Sequence, residues 1–127
     1  MTMEAFAMTM PLTMTTLGML GPVKLTSDNI DNFIKARSPG NYALGYIEGK
    51  AFIVKYIGCS DLDLNEELKN CIGHYPHFKW SYASSAKAAF DKECQNYHDF
   101  GGSEDLDNEN HPASPDGEYM ICEICGL

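Results

Sequence analysis

Two runs rich in Tyr, Ile, Val and Phe, Asn41 to Ile47 and Ala51 to Ile57, flank the turn signal Glu48-Gly49-Lys50. Aromatic and β-branched residues on either side of a glycine-containing turn predict a β-hairpin. The rest of the chain must pack around it, since 127 residues leave room for one domain and one core. Upstream, Thr26, Ser27 and Asp28 offer helix N-caps, and Ile30, Phe33 and Ile34 give the i, i+3, i+4 stripe of a helix that Pro39 and Gly40 stop. Downstream, Leu64, Leu68, Cys71 and Ile72 mark a second amphipathic helix, and Gly73 to His77 breaks it. Phe78, Trp80 and Tyr82 alternate with Lys79, Ser81 and Ala83, the pattern of a half-buried third strand. Ser84 or Ser85 caps a third helix running to about His98. The expected fold is α+β, a small three-stranded, mainly antiparallel sheet flanked by helices.

The two ends differ from this middle. Six of the seven methionines fall in the first 20 residues, mixed with threonine. We read 1–20 as a flexible extension, or as sequence upstream of a later start such as Met14 or Met19, and 21–127 as the domain. A secretory signal needs a basic n-region, and the first basic residue is Lys24. No run of 18 apolar residues exists to span a bilayer, so no membrane partner is expected. Five cysteines without a signal peptide point to a reducing, cytoplasmic setting. Residues 1–92 carry nine basic and nine acidic side chains; all nine other carboxylates lie in 93–127, which has no Lys or Arg. The net charge of −9 therefore belongs to the last 35 residues. Such a tail repels phosphate backbones, which disfavours nucleic acid as a partner and leaves a protein partner open. The 101–119 segment, mostly Gly, Pro, Asn and acid, is expected to be an irregular, mobile loop.

On the third helix, Ala86, Ala89, Phe90, Cys94 and Tyr97 share one side, and Glu93 falls inside that apolar stripe. A carboxylate there is costly unless it is paired, protonated or holding a metal; a tilted helix that leaves Glu93 at the rim is the rival account. Cys94 and His98 project from one face of the helix, one turn apart. Cys122 and Cys125, followed by Gly126, have knuckle spacing. Cys94, His98, Cys122 and Cys125 together predict a closed Cys₃His zinc staple of structural type, with His111 the substitute if His98 points away. The rival account makes Cys94 a small buried hydrophobe and His98 a helix C-terminal cap. Asp105, Asp107 and Glu109 also alternate, but an EF-hand loop needs glycine where Asn110 stands.

Pro39-Gly40-Asn41-Tyr42 and Tyr56-Ile57-Gly58, in that order and followed by a helix, a strand and a Glu-bearing helix, resemble a GIY-YIG nuclease domain over roughly residues 38–110. The resemblance implies a three-stranded sheet flanked by helices and hydrolysis of a DNA phosphodiester with one divalent metal. By that resemblance Tyr42 would help activate the attacking water or pass on its proton. Tyr56 would orient the water or the phosphate, and Glu93 would hold Mg²⁺ or Mn²⁺. Asn108 stands where the family has a late asparagine. The family's arginine, a phosphate clamp, falls at Glu67, where a carboxylate would repel the phosphate. Lys55 or Lys69 could replace part of that charge, though neither occupies the matching position. Two functions follow as expectations: a weak or specialised nuclease-like enzyme, or a non-catalytic, zinc-stabilised binding or scaffold module of the same fold.

Overall fold

The strand-forming runs around Gly49 pair as expected, and the helical stripes fold against both faces of the resulting sheet. The computed structural model describes residues 16–114 and 120–126. In chain order the elements are β1 (Leu20–Lys24), α1 (Ser27–Phe33), β2 (Gly40–Glu48), β3 (Ala51–Ser60), α2 (Leu64–Lys69), β4 (His77–Tyr82), α3 (Ala86–Asp99) and α4 (Gly102–Asp105). The sheet order is β1-β4-β2-β3, with each neighbouring pair antiparallel. The fold is α+β.

Local chemistry sets the boundaries. Glu48 pairs with Ala51, so Gly49 and Lys50 form a two-residue hairpin loop. Gly49 has φ of +62°, the positive value that such tight loops require and that glycine supplies without steric cost. Thr26, Asp63 and Ser85 cap the three longer helices, each side-chain oxygen accepting a backbone N–H three residues on. Of the caps that the sequence left open, Thr26 and Ser85 are the ones used. The second helix ends at Lys69, earlier than its stripe predicts, because Asn70 already sits as its C-cap.

Among the described residues the sheet has four strands where the sequence predicts three. The added strand, Leu20–Lys24, contains Gly21 and Pro22, residues that argue against a strand interior. It is tolerated because β1 is an edge strand, where one side of the backbone needs no ladder partner. Ordered structure also begins before Gly21: Leu17 is buried beside Ala43, Ile57, Tyr97 and Leu106. Residues 1–15 of the expected extension lie outside the described residues.

Alternation along the strands sorts side chains to two faces. Tyr42, Leu44, Phe78 and Trp80 meet Ile30 and Ile34 of α1 and Leu64 and Leu68 of α2 in one cluster. Ala43 and Ile57 face the opposite way, where α3 brings Tyr97. Asn41 fastens α3 to that face, its amide donating to the Ala89 carbonyl at 2.8 Å. The tail docks behind α3, with Cys122 and Met120 against Phe90 and Cys94. Among the described residues no helix is long and apolar enough to cross a membrane.

The acidic loop is pinned along part of its length. The short helix α4 leads to Leu106, which is buried, and the Asp107 N–H donates to the Lys55 carbonyl at 2.6 Å. The Asn108 amide then copies a strand: its oxygen accepts from Ile57 N–H at 2.9 Å and its nitrogen donates to Ile57 C=O at 2.8 Å. Two backbone groups on the open edge of β3 are thereby satisfied. Part of the expected loop, residues 115–119, lies outside the described residues.

Candidate functional site

Helix α3 ends at Asp99, so His98 stands at its last turn with its ring toward the chain that follows. His111 comes back to meet it, Nε2 to Nε2 at 3.2 Å. The tail adds Cys125, whose Sγ lies 3.3 Å from His111 Nε2, and Cys122, which is fully buried. One ligand atom from each of His98, His111, Cys122 and Cys125 falls within 4.8 Å of every other. The turn between the cysteines is closed by the Gly126 N–H donating to Cys122 C=O at 2.7 Å. This cluster can hold a metal ion.

The charge state of Cys122 fits that role. Burial opposes its thiolate, but the backbone N–H groups of Cys125 and Ile124, with Cys94 and His111, outweigh it and hold the thiol below its ordinary range. Three of the four expected ligands are in the group, and His111 takes the fourth place. Cys94 lies outside this group. It packs beside Phe90 and Cys122, its thiol pushed up first by burial and then by the neighbouring Cys122. Cys94 and His98 lie one turn apart on α3, but it is His98 that His111 and the cysteines of the tail gather around, while Cys94 packs behind Cys122.

The tyrosines form a second locus on the other face. Tyr42 is 3% exposed, and its hydroxyl donates to Glu67 Oε2 at 3.0 Å. Its ring lies nearly parallel to that of Tyr56, 14° apart with centroids at 6.4 Å. Gly58 makes room for this ring: a Cβ there would collide with the Tyr42 phenol. Tyr75 is the next ring to Tyr56, centroids 6.4 Å apart and tilted by 36°, its hydroxyl donating to Asp107 Oδ2 at 2.7 Å. These groups line a cavity of about 530 Å³. Burial, followed by neighbouring acidic groups, pushes the Tyr42 phenol far above its ordinary range and raises Tyr56 as well, so both stay neutral.

Glu93 lies between the two clusters. It reaches the edge of β3 from α3, where Cys59 Sγ donates to its Oε1 at 3.2 Å. Burial raises its carboxyl to about 7, against the lowering effect of the Cys59 bond. A second cavity, of about 460 Å³, has Tyr56 and Glu93 on its wall with Asp107, Asn108 and His111. The structure thus brings Tyr42 to Tyr56, and Tyr56 to Glu93, while Tyr42 and Glu93 line different cavities.

Neither lysine reaches the tyrosines as a substitute cation. Lys69 pairs with Asp31 at 2.7 Å, and Lys55 donates to the Asp105 carbonyl at 3.3 Å. Tyr75 carries no motif that marks it as a site residue, and Asp107 stands out in the sequence only in the acidic alternation of Asp105, Asp107 and Glu109. Tyr75 lies in a break between a helix and a strand, and Asp107 joins it from 32 positions further along the chain. Compared with protein-family models, with curated proteins and with solved structures, the chain matches none of them.

Proposed function

We propose that this chain is a zinc-stapled binding or scaffold module without phosphodiesterase activity. The observation that carries it is the group of His98, His111, Cys122 and Cys125. A tetrahedral zinc ion with typical His and Cys bond lengths sets its ligand atoms about 3.3–3.8 Å apart. Two contacts, at 3.2 and 3.3 Å, lie close to that spacing, and all four ligand atoms fall within 4.8 Å of one another, near enough for one ion to draw together. Two imidazoles and two sulfurs suit zinc over Mg²⁺ or Ca²⁺, which take oxygen ligands. With four protein ligands no position is open for water, so the ion is structural. It would fasten the acidic tail to α3, and its affinity would rise with the ease of deprotonating Cys122.

The resemblance to a GIY-YIG domain fits this reading as a shared layout without the family's chemistry. At the position of the phosphate-clamping arginine, Glu67 accepts the Tyr42 hydroxyl. An acidic group there repels a phosphodiester. One observation favours the rival reading as a metal-dependent nuclease: Tyr56 and Glu93 share a cavity. Against it, Cys59 Sγ already donates to the Glu93 carboxylate, and among the described residues lining that cavity there is no Lys or Arg to meet a phosphate.

Metal analysis of the purified chain should give about one zinc per molecule, and His111→Ala or Cys122→Ser should lose it. A chain without zinc would remove the staple. In a plasmid-nicking assay with Mg²⁺ or Mn²⁺ we expect no cleavage. Robust cleavage abolished by Glu93→Ala would restore the nuclease and with it the roles of Tyr42 and Tyr56.

A further inference from the structure

We propose that the cavity between Tyr42, Tyr56 and Tyr75 is a binding site for an alkylated ammonium group. This rests on the module reading and names what the module binds. The ring faces of aromatic side chains carry negative electrostatic potential and attract cations. Here Tyr42 forms the buried floor, while Tyr56 and Tyr75, each partly exposed, form walls tilted by 36°. Glu67 and Asp107 line the same cavity. Each accepts a tyrosine hydroxyl, at 3.0 and 2.7 Å, so both carboxylates are held in place and the rings stay neutral.

The charge of the wall selects the ligand. Among the described residues its lining contains no Lys or Arg, and His74 is the one lining group there with a basic side chain. Anions are therefore repelled. A bare metal ion would need several oxygens converging on one point, whereas these two carboxylates are already tied to different tyrosines. A primary ammonium binds water strongly and gives it up reluctantly among ring faces. Alkylation spreads the charge over methyl groups, lowers that desolvation cost and matches aromatic walls. The cavity, at about 530 Å³, has the size of a small-ligand site and leaves room for the stem that carries the group.

Such a group could be a free quaternary ammonium compound or a methylated lysine of a peptide, and the test separates them. Zinc-loaded full-length protein is titrated, by calorimetry and by amide chemical shift, with choline, with the neutral tert-butyl analogue of choline, and with a trimethyl-lysine peptide and its unmethylated twin. The expected result is saturable binding of choline or of the methylated peptide at roughly millimolar affinity or better. The stronger of the two identifies the source. Tyr75→Leu should weaken binding about tenfold, and Tyr75→Phe, which keeps the ring, by no more than about threefold. Glu67→Gln should weaken choline and leave the neutral analogue unchanged.

Equal binding of choline and its neutral analogue, together with equal binding of the methylated and unmethylated peptides, would overturn the proposal. Absence of binding, or indifference to Tyr75→Leu in a variant of unchanged circular dichroism, would do so too. Zinc content and the nicking assay are read on the same preparation, so a failed cavity leaves the module reading standing, and a failed module reading is seen separately.

Discussion

The tyrosine cavity and the Cys/His cluster are built by opposite means. Tyr42, Tyr56 and Glu67 stand on β2, β3 and α2, elements already fixed by a continuous apolar core. His98, His111, Cys122 and Cys125 come from one helix end and two irregular segments. Around them apolar burial is thin: Cys122 and Met120 pack on Phe90 and Cys94, while Ile121 and Ile124 remain 47% and 49% exposed. The first site is positioned by the fold, and the second would position its part of the fold once an ion is bound. Burial can organise residues carried on regular elements; a polar, acidic tail needs a stronger local bond.

Metal removal tests this contrast most strongly. An ion held about a thousandfold below its free concentration stabilises by about 4 kcal/mol, so chelation should lower the melting temperature by roughly 15 °C. Amide shifts should move at 111–114 and 120–126 and stay put around Tyr42 and Tyr56. Equal disturbance of both regions in a heteronuclear spectrum would break the comparison.

Glu93 lies between the two regions and gives the next largest effect. Its carboxyl holds a proton more tightly folded than unfolded, about 7 against 4.5. That contribution is fully present below 4.5 and is lost as pH rises through 7. In zinc-saturated protein, urea titrations from pH 5 to 8 should show a loss of up to roughly 3 kcal/mol that Glu93→Gln removes. A parallel pH dependence in both proteins would place the titration elsewhere.

Asn108 joins the acidic loop to the sheet edge. Asn108→Ala leaves Ile57 N–H and C=O without their partners, at a cost of about 2 kcal/mol measured by urea denaturation. It should also release the chain that carries His111 and weaken zinc retention. Unchanged stability would mean that water replaces the amide and that the loop is held by the ion alone.

The smallest expected effect is at Gly58. Gly58→Ala pushes a methyl group into the Tyr42 ring, costing about 1.5 kcal/mol as overpacking. Ammonium binding should fall while zinc content stays at one per chain. Loss of zinc in this variant would show that the two regions are coupled through the sheet.

The hairpin, α1, α2, β4 and α3 were all legible in the sequence, because periodicity and capping are local signals. Leu20–Lys24 was not, since Gly21 and Pro22 hide an edge strand that only its partner Trp80 and its neighbours reveal. The Cys122/Cys125 pair and His98 were legible from spacing as members of one cluster. The choice between Cys94 and His111 was not: both are compatible with the pattern, and only the tertiary path of the chain brings His111 to His98.

The sequence by itself determined the α+β layout, the acidic tail and the supply of metal-binding side chains, since each follows from residue type and short-range order. Tertiary structure alone decided that Glu67 meets Tyr42, that Tyr75 and Asp107 close the same cavity, and that Tyr56 shares one cavity with Tyr42 and another with Glu93. Those contacts join residues 25 to 32 positions apart across different elements. No local pattern encodes such a distance; it arises from how strands and helices pack once the core closes.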